Sequence, residues 1–128
     1  MSRGAPNSTA AAGRAGEHAA AYLAGAGLTV VARNYRTQWS EIDLIAIDDR
    51  TLVFVEVKSW RTIGMEGLEH ALDHRKRRRI GAAARSFLAQ HPWYQDSPVR
   101  FDVVFVPPVS PVQHLRNAFE VPAQRGRP

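Results

Sequence analysis

The chain has no cysteine, which excludes a disulfide scaffold, thiolate-ligated zinc, iron–sulfur clusters and thiol catalysis. No apolar run approaches the roughly 18 residues a membrane-spanning helix needs. No acid precedes Glu17, and this Arg-, Ser- and Ala-bearing start faintly resembles a transit peptide. It lacks the apolar core of a signal peptide, however, and a helical pattern runs through its end. It reads as a loose terminus on a cytoplasmic protein. Internal repeats and dividing linkers are missing too, so 128 residues make one domain, large enough to bury a core unaided. With 45% hydrophobic and 23% charged residues it reads as an ordinary globule, not a disordered chain. What the chain does have is positive charge: 17 Lys and Arg against 12 Asp and Glu. The pI near 10.4 suggests a polyanionic partner. The distribution says more, because Arg75-Lys76-Arg77-Arg78-Arg79 follow His74 without a break.

Asn7, Ser8 and Thr9 offer N-caps for an Ala-rich helix from about Ala10 to Ala24, stopped by Gly25 and Gly27. Leu28 to Asn34 reads as a strand. Glu41–Asp48 and Thr51–Lys58 are rich in Ile, Val and Phe and flank Asp49-Arg50, a hairpin signal. After a loop containing Gly64, a long helix is expected from about Glu66 to Gln90. Its apolar stripe is Leu68, Leu72, Ile80, Ala83, Ala84, Phe87 and Leu88, and Pro92 ends it. Val99–Val106 is a fourth strand, and Gln113 to Glu120 a short helix or turn. The order is α-β-β-β-α-β, an α/β mixed sheet covered by helices.

Hairpin register gives the sharpest inference. With Asp49-Arg50 as the turn, pairing outward sets Asp43 opposite Glu56 and Glu41 opposite Lys58. Ile42, Leu44 and Ala46 would then share one apolar face with Val57, Val55 and Val53. The other face is apolar near the turn and carries Glu41, Asp43, Glu56 and Lys58 at its far end. Strands apolar on both faces are central and buried. Opposed Cβ atoms lie roughly 4.5–5.5 Å apart, so the two carboxylates repel unless one protonates or a cation binds between them. Mg²⁺ with oxygen ligands meets that need. The structural alternative is an ion-pair cluster in which Glu41 neutralises Lys58, which leaves Asp43 facing Glu56.

The stretch EIDLIAIDDRTLVFVEVK resembles the PD-(D/E)xK nuclease superfamily. More narrowly, the chain resembles the YraN-type family of bacterial proteins, similar to archaeal Holliday-junction resolvases, from about residue 13 to 120. The residues that carry the likeness begin with Gly13-Arg14-Ala15-Gly16-Glu17-His18-Ala19, Arg33-Asn34-Tyr35-Arg36 and Glu41-Ile42-Asp43-Leu44-Ile45. They continue with Phe54-Val55-Glu56-Val57-Lys58, Lys76 and Arg100-Phe101-Asp102-Val103-Val104. The resemblance implies a restriction-endonuclease-like domain over 13–120, with terminal tails at 1–12 and 121–128. It implies a metal-dependent endonuclease that hydrolyses DNA, branched DNA included, with Mg²⁺ as cofactor and Mn²⁺ as substitute. Asp43 and Glu56 would be metal ligands, with the Val57 carbonyl third and Glu17 the additional acid. Lys58 would position the attacking water or stabilise the charged transition state. Ser40 stands where the family usually has Gly and Trp60 where it has a basic residue, which alters the rim of the site.

Lys76 lies one turn from Leu72 and from Ile80, on the apolar stripe, where a lysine needs a partner; it is expected to point toward the acidic site or its phosphate. Arg75, Arg77 and Arg78 lie off that line and suit sequence-independent phosphate contacts, with Arg33 and Arg36 extending the basic surface. Asp102, between Phe101 and Val103, reads as a structural hydrogen-bond acceptor. His70 and His74 are spaced for chelation but lack a third ligand. Trp39, Trp60, Trp93 and Tyr94 suit packing better than base stacking. The rival reading is a non-catalytic nucleic-acid-binding accessory module of a DNA repair or recombination complex. A structural, protein-binding domain is a third. Symmetric junction cutting would call for a homodimer, and no membrane partner is expected.

Overall fold

The computed structural model describes residues 6–59, 73–108 and 111–121. Helix α1 (Pro6–Gly25) gives way at Ala26-Gly27, where Gly27 adopts a φ of 99° and Leu28 N–H donates back to the Leu23 carbonyl at 3.0 Å. Three antiparallel strands follow, β1 (Thr29–Arg36), β2 (Glu41–Asp48) and β3 (Thr51–Ser59). Helix α2 (His74–Gln90) and a 3-10 turn at Pro92–Tyr94 lead to β4 (Val99–Val106) and β5 (Gln113–Leu115). The sheet order is β1-β2-β3-β4-β5, with β3–β4 the parallel pair. A parallel pair needs a crossover, and α2 lies within it. The domain is therefore the expected mixed α/β sheet with a helix on each face. The Gln113–Glu120 stretch supplies a fifth strand and a turn instead of a helix. No described helix is long and apolar enough to cross a membrane.

The alternating strands feed two apolar layers. Leu44, Ala46, Val53, Val55 and Val104 pack on Ala15, Ala19, Ala20 and Leu23 of α1. Ile45, Leu52 and Phe54 pack on Ala83, Ala84 and Phe87 of α2, and Ile80 joins Val103 and Phe119 beside them. Tyr35 pins β1 to α2, its hydroxyl 3.1 Å from Ser86 Oγ and its ring edge-on to Phe87. Fully burying a side chain such as Phe54 or Leu23 contributes about 1.5–3 kcal/mol. Gly81 is required at its place on α2, because a Cβ there would overlap the Val121 side chain.

Two expectations are corrected. Ile42 does not share the face of Leu44 and Ala46 but packs in the α2 layer with Ile45 and Phe54. The pleat therefore loses its strict alternation between Ile42 and Leu44. Beside this break, Asn34 takes a left-handed φ of 51° between Arg33 and Tyr35, which pair with Leu44 and Ile42. The second helix does not run from Glu66. Asp73, with ψ of 173°, is its non-helical N-cap and accepts the Lys76 N–H at 2.9 Å. Trp60, Gly64, Leu68, His70 and Leu72 lie outside the described residues.

Candidate functional site

The β2–β3 ladder runs from Asp48–Thr51 to Leu44–Val55 in the register the hairpin required. One step further, at Asp43 and Glu56, it opens. The Asp43 side chain enters the gap and its Oδ2 accepts the Val57 N–H at 2.7 Å. Glu56 follows the alternation of β3 onto the α2 side, 7% exposed, beside Ile42, Phe54, Ile80 and Phe119. Lys58, two residues on, is 6% exposed and places Nζ 3.1 Å from Glu56 Oε2. From α2, Lys76 Nζ reaches the same oxygen at 3.2 Å. Burial, and then the charge of Glu56, pushes the Asp43 carboxyl up to about 7, and Glu41 adds to the rise. The Val57 N–H and the Lys76 ammonium pull the other way without cancelling it.

Asp43, Glu56, Lys58 and Lys76 are thus brought together at one end of the central strands. The Glu41–Lys58 pair that the register offered does not form, because Lys58 turns to Glu56 and Glu41 lies 3.7 Å from Arg36 Nε. Glu17 is exposed on α1, and among the described residues no three Asp, Glu, His or Cys side chains form a group that could hold a metal. The structure does not join Glu17 to the pair. Arg33 pairs with Leu44, whose side chain faces α1, so Arg33 lies across the sheet from the α2 cations. Arg75, Arg78 and Arg79 are exposed, whereas Arg77 is partly covered, its guanidinium 5.7 Å from the Phe119 ring centre.

A carboxyl group whose proton affinity is raised by burial and by a neighbouring carboxylate is a candidate ligand for a hard divalent cation. Mg²⁺ characteristically takes one or two carboxylates and fills its other positions with water and substrate oxygens. Both acids stand on the central strands of the sheet, so their spacing is held by the ladder itself.

A second polar cluster lies on the α1 face of the sheet. Asp102 is fully buried and accepts from Arg100 Nε at 2.9 Å, from the Asn117 N–H at 2.8 Å, and from His114 Nε2 at 2.7 Å. Arg100 also reaches Asp48 at 3.0 Å, and His114 Nδ1 lies 3.4 Å from the Tyr22 hydroxyl. The structural reading of Asp102 stands, and its partner His114, like the Tyr22 that meets His114, had no sequence signal beyond its polarity. A cavity of about 460 Å³ lined by Asp49, Arg50, Trp93 and Tyr94 sits at the hairpin end of β2–β3, away from the acids.

The model of the uncharacterised protein family UPF0102 matches residues 15–106, from the first helix through the last residue of β4. The chain belongs to this family. A UPF0102 protein of Pseudomonas entomophila is 42% identical over 118 residues, covering 88% of this chain and 96% of the relative. One from Halorhodospira halophila is 48% identical over 88 residues, 69% of each. Another, from Oleidesulfovibrio alaskensis, is 46% identical over 97 residues, 75% of this chain and 48% of the relative. The UPF0102 match spans both acids, Lys58, Lys76 and the whole basic run.

Proposed function

We propose that this UPF0102 protein is a metal-dependent endonuclease of the PD-(D/E)xK kind, hydrolysing DNA phosphodiester bonds in the cytoplasm, branched DNA among its substrates. The observation that carries the reading is the meeting of Asp43 and Glu56 where the β2–β3 ladder opens, with the Lys58 ammonium on the Glu56 carboxylate. Asp43 and Glu56 would hold Mg²⁺, or Mn²⁺ in its place. When bound, the metal polarises a phosphoryl oxygen and lowers the pKa of its water. Lys58, nearly dry and 3.1 Å from Glu56 Oε2, would set its ammonium beside a phosphate held at that metal, where negative charge develops, and would lose little to solvent screening. Asp43 holds its carboxylate still by accepting the Val57 N–H, so its geometry is set before substrate arrives.

Helix α2 supports the choice of a polyanion. Its first turn has no acid and is led by the cations Arg75, Lys76 and Arg77. Cations there oppose the helix dipole and have the Asp73 cap carboxylate as a nearby anion, whereas phosphates are drawn to both the dipole and the side chains. Symmetric cutting of a four-way junction would need two such sites, hence a homodimer.

The test is a Mg²⁺ and Mn²⁺ cleavage screen on linear, flapped and four-way DNA, run with the parent, Asp43→Asn and Lys58→Ala. Cleavage by the parent alone, with DNA binding kept by Asp43→Asn, supports the reading. Cutting by Asp43→Asn at the parent's rate overturns the site, and DNA binding without cutting by any protein leaves the accessory module.

A further inference from the structure

Lys58 and Lys76 place their ammonium groups 3.1 and 3.2 Å from one and the same oxygen, Glu56 Oε2. The two are not equivalent. Lys58 is rooted in the central strand and its side chain is 7% exposed, so it has nowhere else to go. Lys76 stands in the first turn of α2 with its side chain 32% exposed. Its backbone is anchored by the Asp73 cap, but its long stem borders solvent and the exposed Arg75. A carboxylate oxygen that already carries two ammonium groups is a poor place for a third cation. The charge of Lys76 also reaches Asp43, so this one ammonium offsets both acids.

We propose that Lys76 is the tethered counter-ion of the acidic pair, which must leave Glu56 before a divalent cation is held there. Metal loading and the freeing of Lys76 for a DNA phosphate are then one event. Lys76 keeps the pair neutralised while the protein is alone, and DNA draws it away. Because such coupling is reciprocal, DNA strengthens metal binding by the factor by which metal strengthens DNA binding. The inference rests on the metal-dependent reading above and adds to it an order of assembly.

The experiment is calorimetric titration with Mn²⁺, with and without a short duplex, on the parent, Lys76→Met, Lys76→Arg and Asp43→Asn. A partly exposed ion pair is a weak competitor, so Lys76→Met should bind Mn²⁺ about five- to tenfold more tightly than the parent. In that variant the duplex should tighten Mn²⁺ binding by a smaller factor than in the parent, and Lys76→Arg, which keeps the charge, should stay within about twofold of the parent. If Lys76→Met binds Mn²⁺ no more tightly while Asp43→Asn loses it, the counter-ion role is overturned and the metal site stands. If Asp43→Asn binds Mn²⁺ like the parent, or no protein binds it, the metal-dependent reading falls, and this inference with it.

Discussion

The Asp43 carboxylate takes the Val57 N–H at 2.7 Å, in the gap left where backbone pairing ends at Leu44–Val55. A side chain therefore stands in for a ladder bond, and the same side chain carries a carboxyl group pushed up to about 7 by burial and by Glu56. Two demands meet on one residue.

That arrangement has a sign. An acid whose folded pKa lies above its unfolded value adds stability that is complete below the unfolded pKa and is lost as pH rises through about 7. Asparagine keeps the acceptor for Val57 and removes the charge. Asp43→Asn should therefore melt several degrees above the parent at about pH 8 without divalent metal, a gain of about 1–3 kcal/mol, and match it near pH 4. Thermal melts at the two pH values check this.

Asp102 has the opposite sign. Burial alone would raise its pKa, but Arg100, the Asn117 N–H and His114 together hold it below the usual carboxylate range. Its contribution is present above the unfolded pKa and disappears as pH falls through the lower folded one. Asp102→Ala leaves the Arg100 guanidinium short of its main partner and should cost about 3–5 kcal/mol. Urea titration at neutral pH measures the loss, and an acid titration should show a shallower low-pH limb in the variant.

The α2 cations should act on binding more than on stability. Replacing Arg75, Arg77 and Arg78 with Ala should flatten the slope of log affinity against log salt by roughly 0.9 for each phosphate no longer neutralised. Arg77, already over Phe119, should matter least of the three. Arg75 opposes the helix dipole but attracts the Asp73 cap carboxylate, so Arg75→Ala should keep its melting temperature within about 2 °C of the parent. An unchanged salt slope would make the run an ordinary solvated face.

Gly81→Ala should destabilise although alanine is the better helix former. The added methyl meets the stiff, branched Val121 side chain. Overpacking of this kind costs about 1–3 kcal/mol, and a double variant with Val121→Ala should recover most of it. Chemical denaturation of the two proteins decides.

Glu17→Gln should leave Mn²⁺ affinity within about twofold of the parent, because Glu17 is exposed on α1 and no third acid joins Asp43 and Glu56 among the described residues. A tenfold loss would bring Glu17 into the metal site.

Much of this is legible in the sequence because strands β2 and β3 are apolar on both faces and their turn is short. A two-residue turn admits one register, which holds as far as Leu44–Val55 and brings Asp43 near Glu56 although the ladder opens before the two pair. Lys76 is legible too, since a cation on an apolar stripe has to find an anion, and it finds Glu56. Ile42 is not, because a break in the pleat leaves no mark in an apolar alternation; only Asn34, tolerant of a left-handed backbone, hints at it. The helix start is hidden because Leu68 and Leu72 extend the stripe of α2, while the cap that ends it, Asp73, is a single residue. With the start goes the strongest feature of the basic run, its position against the positive end of the helix. His114 and Tyr22 cannot be found at all, since what joins them to Asp102 is contact across distant parts of the chain.

The segment from Gln113 to Val121 touches both layers. His114 and Asn117 reach Asp102 on one face of the sheet, while Phe119 and Val121 sit against Ile80 and Gly81 on the other. It works as a clasp. Without it the Asp102 carboxylate would keep Arg100 as its side-chain partner, and the apolar flank of Glu56 would lose Phe119. One nine-residue segment thus ties the polar cluster on one side of the sheet to the apolar layer on the other, so neither side can loosen without pulling on its opposite.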